Sequence, residues 1–188
     1  MYTVKNTSNL TILVLTIAFL FTFSVPALSE NVPVLVEPLT AGQTIPIGSV
    51  SIWNDVDTLY VEYDTTGTDW WLSLTHVNVS KDEIIIDGPR GPILVDPSDG
   101  RPSPGKYTIQ TPHDPMVQSF IYEFELAELG WSIDDEIHVL THANSHRLDG
   151  LGNELQGETA FGGSNPNTGN GWWFYSVFTL CEIDGPEN

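Results

Sequence analysis

The chain has 188 residues, 25 of them acidic against 6 lysines and arginines, giving a formal net charge of −19 and an isoelectric point of about 4.1. Such a balance excludes nucleic acid as a partner, because phosphates demand a basic footprint, and it disfavours anionic membrane surfaces. A lone cysteine, Cys181, allows no intramolecular disulfide, so stability must come from an apolar core, from metal or from assembly.

Residues 1–9 hold one lysine and no acid, residues 10–23 form an apolar and threonine run, and small residues follow up to Ser29. This pattern predicts a secretory signal peptide over residues 1–29, cut after Ala27 or Ser29, and a secreted or cell-surface protein. The run is short of the about 20 apolar residues a membrane span needs. Cleavage removes Lys5 and no acid, so the mature charge becomes 5 − 25 = −20. A remainder of about 160 residues is long enough for a sizeable core. Its acidity fits either solubility in a salty exterior or carboxylates paired with divalent cations.

Residues 30–40 contain an apolar run with Pro33 inside it and Pro38 at its end. Proline cannot donate to a ladder, so the segment belongs at a sheet edge, either of its own domain or of a neighbouring subunit to which it is donated. As a donated assembly strand it would bury Val32, Val34, Leu35 and Val36 in that neighbour.

Residues 41–188 read as one β-sandwich domain, organised around residues 47–79. There, Val50 and Ile52 share a face, then Leu59, Val61 and Tyr63 share another, and residues 70–79 are apolar on both faces. Period two with aspartate, threonine and glycine between the runs predicts antiparallel strands paired as a meander. Residues 81–105 are rich in proline and glycine with two short apolar islands, 84–86 and 93–95, which argue for packing on the body. Asn78-Val79-Ser80 matches a glycosylation acceptor. Alternation returns at 106–110 and 119–126, with a turn expected at His113-Asp114-Pro115 and one helical turn ending at Gly130. A strand is expected at 136–142, only 158–161 reads as strand within 145–170, and the run 172–183 is apolar on both faces, as in a central strand with a buried Cys181. Eight or nine strands with almost no helix predict an all-β antiparallel sandwich, the jelly roll being one such layout.

The succession AGQ, GSVSIWND, LYVEYDTTGTDWWLSLTHVNV, PGKYTI, HDP, SFIYEFELAELG, IHVLTHA, ETAFGG and GWWFYSVFTL resembles a group of secreted bacterial and archaeal β-sandwich domains. The resemblance runs from about Ala41 to Leu180 and implies a secreted single domain, with no enzymatic activity attached to particular residues. In design, though not in motif, the chain is also similar to subunits of archaeal extracellular tubes and filaments, which join through donated strands and calcium.

No catalytic signature stands out, and the expectation is a protein that is not an enzyme. His138, His142 and His146 are spaced by four, which on a strand spans about 13 Å, too far for one zinc ion. His76 could join one of them across a sheet. Serines lack a GxSxG elbow. Oxygen ligands do gather in turns: Asp55 and Asp57, Asp64 and Asp69, and Asp149, Asn153 and Glu154 with Glu158 further on. Calcium takes six to eight oxygens, which such loops can wrap round it, so at least one calcium site is expected among them; the competing reading is aspartates that stabilise their own turns. Two functions follow from the sequence. One is a self-associating structural subunit of an extracellular filament, tube or surface layer. The other is a secreted module recognising glycans or proteins, using Trp53, Trp70, Trp71, Trp172 and Trp173 where these are exposed. Tandem tryptophans on a strand point to opposite faces, so one of each pair should be inward.

Overall fold

A computed structural model describes residues 33–81, 87–88, 91–92, 104–107, 109–166 and 172–183. The signal-peptide expectation, Val32 and most of the insert at 81–105 lie outside the described residues. The strands are β1 (Leu35–Ala41), β2 (Ile45–Asn54), β3 (Thr58–Asp64), β4 (Trp70–Ser80), the short β5 (Asp87–Gly88) and β6 (Gly91–Pro92), β7 (Ile109–Val117), β8 (Ser119–Glu125), β9 (Glu136–Leu148), β10 (Glu154–Gly162), β11 (Asn165–Pro166) and β12 (Phe174–Thr179). The helical turn α1 (Leu126–Leu129) stops where Gly130 turns left-handed at φ 68°, as the sequence predicts.

Among the described residues, ten strands form one antiparallel sheet, and β5 pairs with β6. The expected all-β antiparallel class is therefore the fold. One wall is β8-β3-β2-β1 and the other is β7-β4-β9-β12, with β10 joining them by pairing both β1 and β9. The sheet closes on itself except between β7 and β8, where the chain turns a corner at Gln118.

The meander expected over residues 47–79 is corrected by this topology. β2 and β3 pair as a hairpin, but β4 pairs with β7 and β9 and not with β3. Residues 65–69 carry the chain from one wall to the other. That corner is held by Thr65, whose Oγ1 donates to the Trp70 carbonyl at 2.8 Å, and by Gln118, whose Nε2 donates to the carbonyls of Thr68 (2.9 Å) and Trp70 (3.1 Å).

The interior is filled by the residues that alternation turns inward: Leu39, Ile47, Val50, Ile52, Leu59, Val61, Tyr63, Leu72, Val77, Ile137, Val139 and Phe178. A second, smaller cluster of Tyr107, Leu140, Phe161 and Trp173 covers the outside of the second wall. β9 thus has apolar residues on both faces because it lies between two layers.

The sequence underestimates three stretches. The turn expected at residues 113–115 is a continuous β7 with a cis Asp114–Pro115 peptide, β9 extends to Leu148, and β10 extends from Glu154 to Gly162. In the added parts of β9 and β10 polar residues and glycine replace the apolar alternation, which hides the period.

Cys181 lies just past β12, partly buried, with its thiol donating to the Thr179 carbonyl at 3.1 Å, so it is not the strand-buried thiol expected. Asn78 is fully buried, and a glycan could not be carried there.

Candidate functional site

Four of the five histidines gather on the outer face of β4 and β9. Strand alternation along β9 carries His138, Leu140, His142 and His146 to the same side, opposite the interior residues Ile137, Val139 and Ala143. Across the ladder His76 sits directly beside His142, and Trp71 beside His146. The His76 and His142 rings are 5.0 Å apart, His142 packs edge-on against Phe161 at 4.9 Å, and Phe161 in turn meets Trp172 at 5.1 Å. Burial holds the His142 imidazole far below its usual range, at about 3, and the neighbouring His76 pushes in the same direction. His76 is likewise lowered by burial, opposed by the Pro104 carbonyl. These two rings therefore stay neutral. His138 stacks on Tyr175 at 6.1 Å.

One end of this face is built differently. Ser73 is an extra residue in β4, squeezed between Leu72, which pairs with Ser145, and Leu74, which pairs with Asn144. Leu155 is an extra residue in β10, between Glu154, which pairs with Leu148, and Gln156, which pairs with Arg147. Bulges of this kind re-aim side chains. Between them stands His146, with Ser73 Oγ 2.8 Å from its Nε2 and Glu154 Oε2 3.1 Å from its Nδ1. The carboxylate contact is at ion-pair distance but off the line of a straight hydrogen bond. Gly157 is the cross-strand partner of His146, and a Cβ there would come within 2.9 Å of Glu154 Oε1. The missing side chain is what lets the carboxylate reach over the strand. Beside His146 lies an open depression of about 420 Å³ lined by Asn144, Ser145, Gly157, Glu158 and Thr159.

The residues expected to hold calcium lie at the turns after β2, β3 and β9 and, for Glu154 and Glu158, on β10 itself. Asp55 Oδ1 accepts the amides of Asp57 and Thr58 at 2.9 and 2.8 Å, and Oδ2 accepts the Tyr60 hydroxyl at 2.7 Å. Burial raises the Asp55 carboxyl, and these hydrogen bonds outweigh it and leave it below the usual range. Asp64 Oδ1 accepts the Thr66 amide at 2.7 Å, and Asp69 faces Arg147 at 3.6 Å. Asp149 is held down by the Asn153 amide side chain and by the backbone amides of Asn153 and Leu151. Glu154 belongs to His146, and Glu158 Oε1 accepts Gln156 Nε2 at 3.0 Å. Asp57 is exposed. Among the described residues, no three histidine, cysteine or acidic side chains are placed to hold a metal ion.

Of the assembly-strand residues, Leu35 and Val36 pair at home with Ile52 and Ser51 of β2, and Val34 is exposed just before β1. The tryptophans split as tandem pairs should: Trp70 is in the core and Trp71 partly exposed, Trp173 is buried and Trp172 partly exposed. Trp53 lies flat against Tyr60, 5.1 Å away with 9° between the planes.

Comparison with family models, with characterised proteins and with solved structures gives no match. What the coordinates define by themselves is an antiparallel all-β protein with a histidine-rich aromatic face.

Ser73 is the residue that sequence reasoning missed. It occupies an ordinary strand position in the pattern WWLSLTH, and nothing local marks it as bulged. The bulge becomes visible only once β4 and β9 are aligned.

Proposed function

We propose that this is a secreted structural subunit that joins copies of itself outside the cell through its sheet edges. The observation that carries this reading is a half-covered β1. Residues 39–41 pair on both sides, with β2 and β10, and the Pro38 carbonyl accepts the Gly163 amide. Residues 35–37 have a ladder only with β2 among the described residues, and the exposed Val34 and Val36 flank that open side. An unpaired edge with apolar side chains beside it is a template for another strand. β8 offers a second edge, since its one ladder among the described residues is with β3, and Ile121 is exposed on it. Contacts between two different edges are head-to-tail and do not have to close, so they build filaments.

Calcium joins this reading through charge: five basic residues cannot neutralise 25 acids in the mature chain. Divalent ions would screen like-charged subunits as they approach.

The test is electron microscopy and sedimentation of the mature protein, with calcium and with chelator. The polymers expected in the wild type should be absent from Val36→Lys, because a charge at an open edge blocks pairing. A wild type that stays monomeric at high concentration in both conditions overturns the assembly reading and leaves the recognition module. Polymers that form equally in chelator remove calcium alone.

A further inference from the structure

We propose that Ser73, His146 and Glu154 form a nucleophilic relay that cleaves carboxylic esters of apolar or aromatic alcohols, an activity independent of the assembly role. The inference rests on connectivity. A serine hydroxyl meets one ring nitrogen of a histidine at 2.8 Å, and a carboxylate meets the other at 3.1 Å. The carboxylate lies at ion-pair distance from Nδ1 without a straight hydrogen bond, and its charge favours the ring proton on that nitrogen, which would leave Nε2 to accept from Ser73 Oγ. This is the proton order in which a histidine can act as base toward a serine.

The three residues come from three adjacent strands, and two of them, Ser73 and Glu154, sit at local departures from regular pairing. Ser73 is the extra residue of the β4 bulge, Glu154 borders the bulge in β10, and Gly157 leaves the gap through which the carboxylate passes. A plain surface contact needs none of these. The site is also open: side chains of His146 and Glu154 keep 24% and 53% of their exposure, and a depression of about 420 Å³ opens on the β9–β10 side of His146. Trp71, opposite His146 and two residues before Ser73, puts a partly exposed aromatic surface beside the nucleophile. Its chemistry favours an apolar or aromatic leaving group. Asn144, two residues before His146 on the same strand, lines that depression.

In the first step Oγ bonds to the ester carbonyl carbon as its proton passes to Nε2. The tetrahedral oxyanion then collapses, the bond from carbon to the alcohol oxygen breaks, and the departing oxygen takes the proton from Nε2. Water attacks the acyl-serine, gives a proton to Nε2, and releases the acid as that proton returns to Oγ. Ser73 and His146 are the catalytic residues; Glu154 positions the ring and balances its charge.

The experiment exposes the folded mature chain to a fluorophosphonate probe, maps the adduct by peptide mass spectrometry, and follows hydrolysis of p-nitrophenyl acetate. The expected result is a single adduct on Ser73, absent from Ser73→Ala. His146→Gln should slow its formation by about 10²-fold or more. Glu154→Gln should slow it by roughly tenfold and shift the pH profile, with Glu154→Asp restoring part of the rate. Glu154 is largely exposed, so its variants keep the test valid if His146→Gln folds poorly. An unlabelled wild type, an adduct on another residue, or a rate unchanged in both His146→Gln and Glu154→Gln overturns the proposal.

Discussion

The hydroxyl of Tyr63, on β3, crosses the interior to donate to the backbone carbonyl of His76, on β4, at 2.6 Å, and it accepts the amide of His142 from β9 at 3.1 Å. One phenol thereby ties the first wall to two strands of the second. Tyr122 makes a parallel tie from β8, its hydroxyl 2.6 Å from Thr75 Oγ1. The ring of Tyr63 is fully buried, and burial lifts its pKa well above the usual tyrosine range, so the hydroxyl keeps its proton as a donor.

Tyr63→Phe keeps the ring and removes the tie, leaving a buried carbonyl and a buried amide without this partner. The expected cost is about 1–3 kcal/mol. That corresponds to a fall in melting temperature of roughly 2–4 °C per kcal/mol for a domain of this size, read by calorimetry or urea titration. A wild-type melting curve would show that the two backbone groups find water instead.

Acid should destabilise the protein through His142. Its folded pKa is about 3, below the ordinary value of 6.5, so the unfolded chain binds a proton that the folded one refuses. The contribution is complete above about pH 6.5 and is lost as the pH falls toward 3, at about 1.4 kcal/mol per unit. Between pH 6.5 and 4.5 the loss is therefore roughly 2 kcal/mol, and His76, lowered in the same direction, adds to it. Urea midpoints across that range should fall steadily, and His142→Gln should flatten the slope. An identical slope in that variant would assign acid sensitivity elsewhere.

Gly48 is a packing position. A Cβ there would lie 2.0 Å from the Asp64 carbonyl oxygen, and because that atom is backbone, the β2–β3 hairpin itself has to shift. Gly48→Ala should cost about 1–3 kcal/mol or more, measured as a lower urea midpoint. Gly67, with open space around its Cβ position, has no such neighbour.

Gln118 holds the corner at which both walls exchange strands. Removing its amide in Gln118→Ala takes a donor from the carbonyls of Thr68 and Trp70, the latter keeping the Thr65 hydroxyl, with an expected loss of about 1–2 kcal/mol. The loss should be local first. Hydrogen exchange of the Thr65 amide, which donates to the Gln118 carbonyl at 2.7 Å, should accelerate well before global unfolding.

Alternation of apolar residues was enough to read the β class and most of the strands from sequence, because a side chain's face is a local property of period two. Val50 and Ile52, or Leu59, Val61 and Tyr63, declare their inward side whatever the partner strand is. The stop of α1 at Gly130 was legible for the same reason: a left-handed residue is a local event. Partners are another matter. That β4 leaves β3 for β9, that His76 meets His142 after 65 intervening residues, and that Ser73 bulges toward His146 while Glu154 reaches over Gly157 are all decided by register between distant strands. Acidic turn residues such as Asp55 and Asp149 read from sequence either as ion ligands or as stabilisers of their own turns, and the structure adds that their oxygens accept hydrogen bonds from nearby backbone amides. The sequence by itself determined which residues face inward. The tertiary structure alone decided which strands lie side by side, because hydrogen-bonded ladders are blind to side-chain identity and take their register from the packing of the whole core.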